Sequence, residues 1–246
     1  MDAELPFTAR SARDIWVYLA EEPLLHLFLT LLAFQLGNWL YRRAGLSPLV
    51  NPVLIAVILV VAVLLATGTD YPTYFEGAQF VHFLLGPATV CLAIPLYRQL
   101  ARVRRSALAL AASILTGSLT ASISAVTLAW AFGGGRDTLI ALAPKSTTAP
   151  VAMGIAEALG GLPSLTAVLV ILTGILGAML GPPLMTMIGV KDWAARGVAM
   201  GTASHGIGTA RALQVNEVAG AFAGLAMGLN ALATALLLPL LARLLL

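Results

Sequence analysis

The chain has 246 residues, 59% of them hydrophobic and 10% charged, with a net charge of +3. A soluble domain carries about 25% charged residues and needs polar surface to face water; a mean hydropathy of +0.93 leaves too little. Disorder, nucleic-acid binding and an ordinary water-soluble enzyme are excluded, and the chain reads as an all-α integral membrane protein.

A bilayer-spanning helix takes about 20 apolar residues, so about eight hydrophobic segments fit. Residues 1–23 are expected to form an extramembrane N-terminal segment without the basic start of a secretory signal, and residues 24–246 a single transmembrane domain. The first apolar run, 24–41, ends in Arg42 and Arg43, and a second spans 49–67. A polar loop, Gly68 to Tyr74, precedes a run over 75–97 that Gly86-Pro87 and Pro95 interrupt. The next loop, with Arg98, Arg102, Arg104 and Arg105, is the most basic, and 106–132 form a long span closed by Gly133-Gly134-Gly135.

The later half reads as short broken segments alternating with long intact ones. Residues 138–160 hold Pro144, Pro150, Gly154 and Gly160; 164–188 are clean; 193–213 are interrupted by four glycines; 217–246 are long again. This long–broken–long pattern predicts two or more broken or re-entrant helices, with inverted repeats as an open option. By the positive-inside rule the loops at 42–43 and 98–105 lie on the cytoplasmic side. If 138–160 crosses fully, Lys191 and Arg196 fall outside, against the rule; if it re-enters, they fall inside. The sequence leaves that choice open.

Two strings carry chemistry. The first is Ala143-Pro144-Lys145-Ser146-Thr147-Thr148-Ala149-Pro150. Pro150 has no N–H and clashes with a preceding helical turn, so a helix starting near 147–150 is predicted, with Ser146, Thr147 or Thr148 as N-cap. Non-helical backbone at membrane depth is tolerated only inside protein or beside water. Such a break presents free N–H groups, a positive helix end and Lys145 together, which suits an anion. The alternative is that Lys145 snorkels to the interface.

The second string is Gly201-Thr202-Ala203-Ser204-His205-Gly206-Ile207-Gly208-Thr209-Ala210-Arg211. Its glycines permit departure from helix, or else tight helix packing. Thr202, Ser204 and Thr209 offer hydroxyls, His205 binds or relays a proton, and the Arg211 fork suits a carboxylate. Glu157, two turns into the half-helix after Pro150, joins His205 as a proton-coupling candidate, or else sits near the interface. Asn230, mid-span in the last segment, completes the binding set; Gln79 and His82 share a helix face and read better as structural.

Enzymatic readings fail. The Gly-x-Gly of 206–208 opens no βαβ unit, and no His-Glu-x-x-His string exists. Lys145-Ser146 and Ser204-His205 are adjacent pairs, and neighbours on a helix point about 100° apart, so neither is expected to form a dyad. Cys91 is the only cysteine, which excludes an intramolecular disulfide and a cysteine metal site; no cofactor or metal is implied.

Together with Asn51-Pro52-Val53-Leu54-Ile55-Ala56, Tyr74-Phe75-Glu76-Gly77-Ala78 and Leu85-Gly86-Pro87-Ala88-Thr89-Val90, the two strings resemble the LrgB/CidB family of bacterial membrane proteins over residues 30–243. The C-terminal part of the plant plastidial glycolate/glycerate translocator is similar to that family. The resemblance implies a multi-pass protein of the bacterial inner membrane, and two functions. One is transport of short carboxylates such as pyruvate, glycolate or glycerate; from the residues, His205 or Glu157 is expected to couple it to a proton, with sodium as the rival. The other is action beside a small holin-like partner subunit in controlling murein hydrolases and lysis. A homo-oligomer is also expected. The residues favour transport, because a scaffold needs neither a lysine-hydroxyl break nor a glycine-histidine-arginine break.

Overall fold

The structure, a computed structural model, describes residues 22–47, 50–84, 87, 90, 91 and 93–245. The expected extramembrane segment 1–23 lies outside them but for its last two residues. Every element formed by the described residues is a helix, and four helices are long and apolar enough to cross a membrane: Pro23–Arg43, Ala107–Ala131, Pro163–Met187 and the stretch Glu217–Leu240. The all-α membrane reading holds. The expected single transmembrane unit contains two compact groups of helices, divided after Val90.

The first group holds α1 (Pro23–Arg43), α2 (Pro52–Thr67) and α3 (Tyr71–Phe83). Asn51 caps α2 by accepting from the amides of Val53 and Leu54. Asp70 caps α3 by accepting from Thr73 at 3.3 Å. The expected polar loop is therefore shorter than read, because Asp70 followed by Pro72 starts a helix rather than continuing a turn. Gln79 donates to the Glu76 carbonyl and His82 packs against Phe75.

The second group carries the chemistry. It comprises α4 (Ala93–Arg98), α5 (Leu100–Arg105), α6 (Ala107–Ala131), α7 (Arg136–Leu142), α8 (Ala149–Ala158), α9 (Pro163–Met187), α10 (Trp193–Val215) and α11 (Glu217–Leu245). The basic stretch 98–105 is helical rather than a loop; its long side chains lose little freedom in a helix. Two of its arginines pair across the group, Arg98 with Glu217 at 3.1 Å and Arg102 with Asp192 at 2.6 Å. These exposed pairs add little stability, but they fix the starts of α10 and α11 at the basic end.

Two segments enter and turn back. Along a straight helix Ile140 and Gly161 would stand about 30 Å apart, yet a Cβ added to Gly161 would lie 3.1 Å from the Ile140 Cβ. Residues 136–158 are thus a re-entrant hairpin, α7 in and α8 out. In α10, Met200 and Gly208 would be about 12 Å apart if the helix were straight, yet a Cβ on Gly208 would lie 2.6 Å from the Met200 carbonyl. The chain reverses at His205, the one residue within α10 with non-helical backbone. Gly197 and Gly201 of the ingoing arm lie against the backbone of Ala219 and Ala223 in α11, at steps of four on both, so these two helices run parallel.

The 25-residue α9 joins the hairpins, so they approach from opposite ends of the group. The first enters opposite the basic end and the second enters at it. α6 with the first hairpin and α9 with the second are therefore inverted counterparts. The choice left open by charge counting falls on re-entry, with Lys191 and Arg196 at the basic end. Single cysteines placed in a Cys91→Ser background test this. Asp137→Cys and Leu162→Cys should react with an impermeant maleimide from one face of the membrane, and Lys191→Cys and Glu217→Cys from the other. Labelling of positions 137 and 162 from different faces would mean that 136–158 crosses.

Candidate functional site

The first tip is the turn between α7 and α8. The Lys145 amide donates to the Leu142 carbonyl at 3.1 Å and the Thr147 amide to the Pro144 carbonyl at 3.0 Å. Thr148 stands in extended backbone before the helix (φ −66°, ψ 144°), and Pro150 occupies the first turn of α8 without an N–H to satisfy. Thr148 is therefore the N-cap residue, though its side chain makes no capping bond. Ser146 and Thr147 are buried and Lys145 is half-buried. The Lys145 Nζ donates to the Ser146 Oγ at 3.3 Å. The two side chains meet because they stand on a turn, where the 100° helical spacing does not apply; with the ammonium donating, the contact is a hydrogen bond and not an activated nucleophile.

The second tip is His205. Its φ of 41° and ψ of −132° are close to the first central position of a type II′ turn, which glycine normally fills. A non-glycine residue there costs about 1–3 kcal/mol, and its surroundings hold it. Its Nε2 lies 2.9 Å from the Val170 carbonyl of α9. A carbonyl only accepts, so Nε2 carries the proton. Thr209 Oγ1 donates to the His205 carbonyl at 2.8 Å. Gly174 and Gly177 of α9 leave room for the His205 ring and for Ser204; a Cβ on Gly174 would come within 2.6 Å of that ring.

Asn230 of α11 joins the tips. Its Nδ2 donates to the Ser146 carbonyl at 3.0 Å and to the Thr202 carbonyl at 3.2 Å. The break at His205 ends the ingoing helical arm just past Thr202, and a helix end leaves its last carbonyls without intrahelical partners; the amide supplies a donor. Asn230 is 1% exposed and sits about 20 Å along α11 from Glu217, while His205 sits about 18 Å along α10 from Trp193. Both distances put the junction well inside a hydrocarbon layer about 30 Å thick, somewhat past its midpoint from the basic end.

The sequence-derived residues thus divide. Ser146, Thr202 and Asn230 meet directly at the junction, with Thr147 next to Ser146 in the chain, Lys145 beside Ser146 and His205 three residues beyond Thr202. Ser204 faces α9, and Thr209 is spent on the turn and on Met227. Arg211 lies on the returning arm and lines a separate cavity of about 120 Å³ with Arg196, Met185 and Trp193. Glu157 is exposed, near the end of α8.

A cavity of about 690 Å³ runs along α6 and the ingoing arm of α10, from Arg102, Ser106 and Asp192 at the basic end to Gly117, Ala121 and Thr202. At its mouth the Asp192 carboxyl titrates below the usual carboxylate range. The Ala195 amide that it caps is the main cause, and the Arg102 guanidinium adds to it. Sequence reasoning missed this path, although Asp192 before an apolar helix is a cap signal. It also missed Val170, whose contribution is a backbone carbonyl and leaves no mark in sequence.

Replacing Asn230 by leucine strips two buried carbonyls of their donor. Each carbonyl left unpaired costs about 1–3 kcal/mol, so thermal unfolding of Asn230→Leu in detergent should fall well below wild type. The exposed Thr116→Val should leave the midpoint nearly unchanged. Equal midpoints for the two variants would remove Asn230 as the joint.

A sequence model of the LrgB-like family matches residues 30–244. The chain is 34% identical over 220 residues to the holin-like protein CidB of Staphylococcus epidermidis, covering 89% of this chain and 96% of that protein. It is 38% identical over 205 residues to the uncharacterized protein YxaC of Bacillus subtilis, covering 83% and 89%. It is 33% identical over 220 residues to holin-like protein CidB of Staphylococcus aureus, covering 89% and 96%. No solved structure matches. With the family pattern running through both hairpins and the helix that joins them, the chain belongs to the LrgB-like family.

Proposed function

We propose that the chain is a secondary carrier of short carboxylates, of the pyruvate, glycolate and glycerate class, in the bacterial inner membrane. The carrying observation is the meeting of two opposed re-entrant tips at one buried amide, beside a lysine. Discontinuous helices meeting near the midplane are the arrangement in which carriers hold substrate, with helix N-termini toward anionic groups. The start of α8, the Thr147 and Thr202 hydroxyls and Lys145 supply donors for a carboxylate. The basic end faces the cytoplasm, and the cavity from Arg102 to Thr202 is the inner approach. His205 is the tip residue able to take up a coupling proton; Glu157, exposed at the far end of α8, would act only through a rearrangement.

A second reading has its own support. This chain covers nearly the whole length of relatives named holin-like protein CidB, and that name favours the holin-like alternative over transport; the small partner subunit and the control of murein hydrolases are what the family resemblance implies. Proteoliposomes holding this chain alone separate the two. The carrier takes up labelled pyruvate or glycolate saturably while a co-trapped dye stays inside. The holin-like protein releases the dye, or does nothing until its partner is added.

Lys145 tests the site itself. A hydrogen bond to a charged group is worth about 1.5–3 kcal/mol, so Lys145→Gln should weaken carboxylate affinity about 10- to 150-fold. Lys145→Arg should rescue little, because a planar fork does not replace a compact ammonium. Calorimetry with purified protein reads both, and an unchanged dissociation constant for Lys145→Gln would return Lys145 to a snorkelling role.

A further inference from the structure

The junction holds a set of buried oxygens whose lone pairs no donor among the described residues takes. The Asn230 Nδ2 must face the Ser146 and Thr202 carbonyls, since carbonyls only accept, and this fixes which way the amide points. Its Oδ1 is then an acceptor turned away from both, and it has no hydrogen-bond partner among the described residues. The same holds for Thr147 Oγ1 and Thr202 Oγ1. The Ser146 and Thr202 carbonyls meet at the Asn230 amide and Thr147 follows Ser146 in the chain, so the three residues stand around one junction. All three residues are more than nine-tenths buried, at 1%, 6% and 1% exposure for Thr147, Thr202 and Asn230. A buried polar atom without a partner costs about 1–3 kcal/mol, so three of them at one joint call for a ligand.

The chemistry of the set selects the ligand. An amide oxygen can only accept, and a hydroxyl oxygen offers lone pairs while turning its hydrogen elsewhere. The Ser146 and Thr202 carbonyls each keep a second lone pair beside them. Neutral oxygens at broken helices are the donor set of a dehydrated alkali cation. A divalent ion takes carboxylates, and no group of three or more acidic, histidine or cysteine side chains stands together among the described residues. We infer that Asn230 Oδ1, Thr147 Oγ1 and Thr202 Oγ1 bind a sodium ion where the two hairpin tips meet.

Charge then ties the ion to the substrate, a step that rests on the carrier reading. The Lys145 ammonium shares the first tip, and none of the three ligands is anionic, so the cation meets a net positive neighbourhood. A carboxylate at Lys145 neutralises it. Each ligand then strengthens the other by the same factor, because linkage between two binding sites is reciprocal.

Thermal unfolding of the full chain in detergent tests this, in sodium, potassium and choline chloride at matched ionic strength. Sodium should raise the midpoint by about 2–4 °C over choline, with potassium well behind. Thr147→Val and Thr202→Val should each lose that increment, while the exposed Thr116→Val keeps it. Equal midpoints in the three salts would overturn the site and mark the oxygens as satisfied by water. A sodium increment that survives both valine substitutions would place the ion elsewhere and overturn it too. Added pyruvate or glycolate should then lower the sodium concentration for half-effect at least about threefold. A sodium increment indifferent to either carboxylate would keep the ion site and sink the carrier reading.

Discussion

One side-chain amide holds the centre of this protein together. In hydrocarbon every backbone polar group must be satisfied by protein, and a helix that stops halfway leaves carbonyls with nothing to accept from. Asn230 answers at the Ser146 and Thr202 carbonyls. The Thr209 hydroxyl serves the His205 carbonyl in the same way, while the Val170 carbonyl accepts from the His205 ring. Breaking two helices at one depth is tolerable because the breaks share a partner, and so their meeting point cannot drift along α11.

The rest of the packing follows from bringing backbones close enough for those bonds. Gly197 and Gly201 let the ingoing arm of α10 lie against the backbone of α11, and Gly174 and Gly177 let the tip sink onto α9. Association inside a bilayer rests on such close packing, since lipid is as apolar as leucine. The first hairpin is seated differently, through Ala143, Ile155 and Leu238 with Val126 and Val151 around them. One hairpin is fixed backbone to backbone and the other side chain to side chain.

How much of this was legible follows from where the signals reside. The first break was readable because Pro150 removes a donor and hydroxyls precede it. The second was readable only as glycines; that a histidine takes the positive-φ position is a tertiary effect, imposed by Val170 and by the space above Gly174. Re-entry itself was not legible. A 23-residue segment has the length of a span, and its folding back shows only in what Gly208 touches. Arg211 reads as a carboxylate fork in the same string as His205, but the reversal carries it down the returning arm to Arg196. Lys145 and Ser146 were separated by a helical argument that fails on a turn. The charge rule gave the right conditional: with 136–158 re-entrant, Lys191 and Arg196 join the arginines of 98–105, and the Arg102–Asp192 pair closes that end.

The difference in seating bears on motion. Two amide–carbonyl bonds net about 1 kcal/mol each, which is within reach of a single ligand's binding energy. The contacts of the second hairpin are many, small and interlocked with the backbones of α9 and α11, and they part only together. If the tips separate, the plane of separation therefore runs between Asn230 and Ser146 rather than between Asn230 and Thr202. The first hairpin, with Lys145 at its tip, is the element free to change, and the second hairpin with α9 and α11 is the frame. A ligand that touches Lys145 on one side and Thr202 on the other bridges that plane, and its presence or absence sets whether the plane is closed.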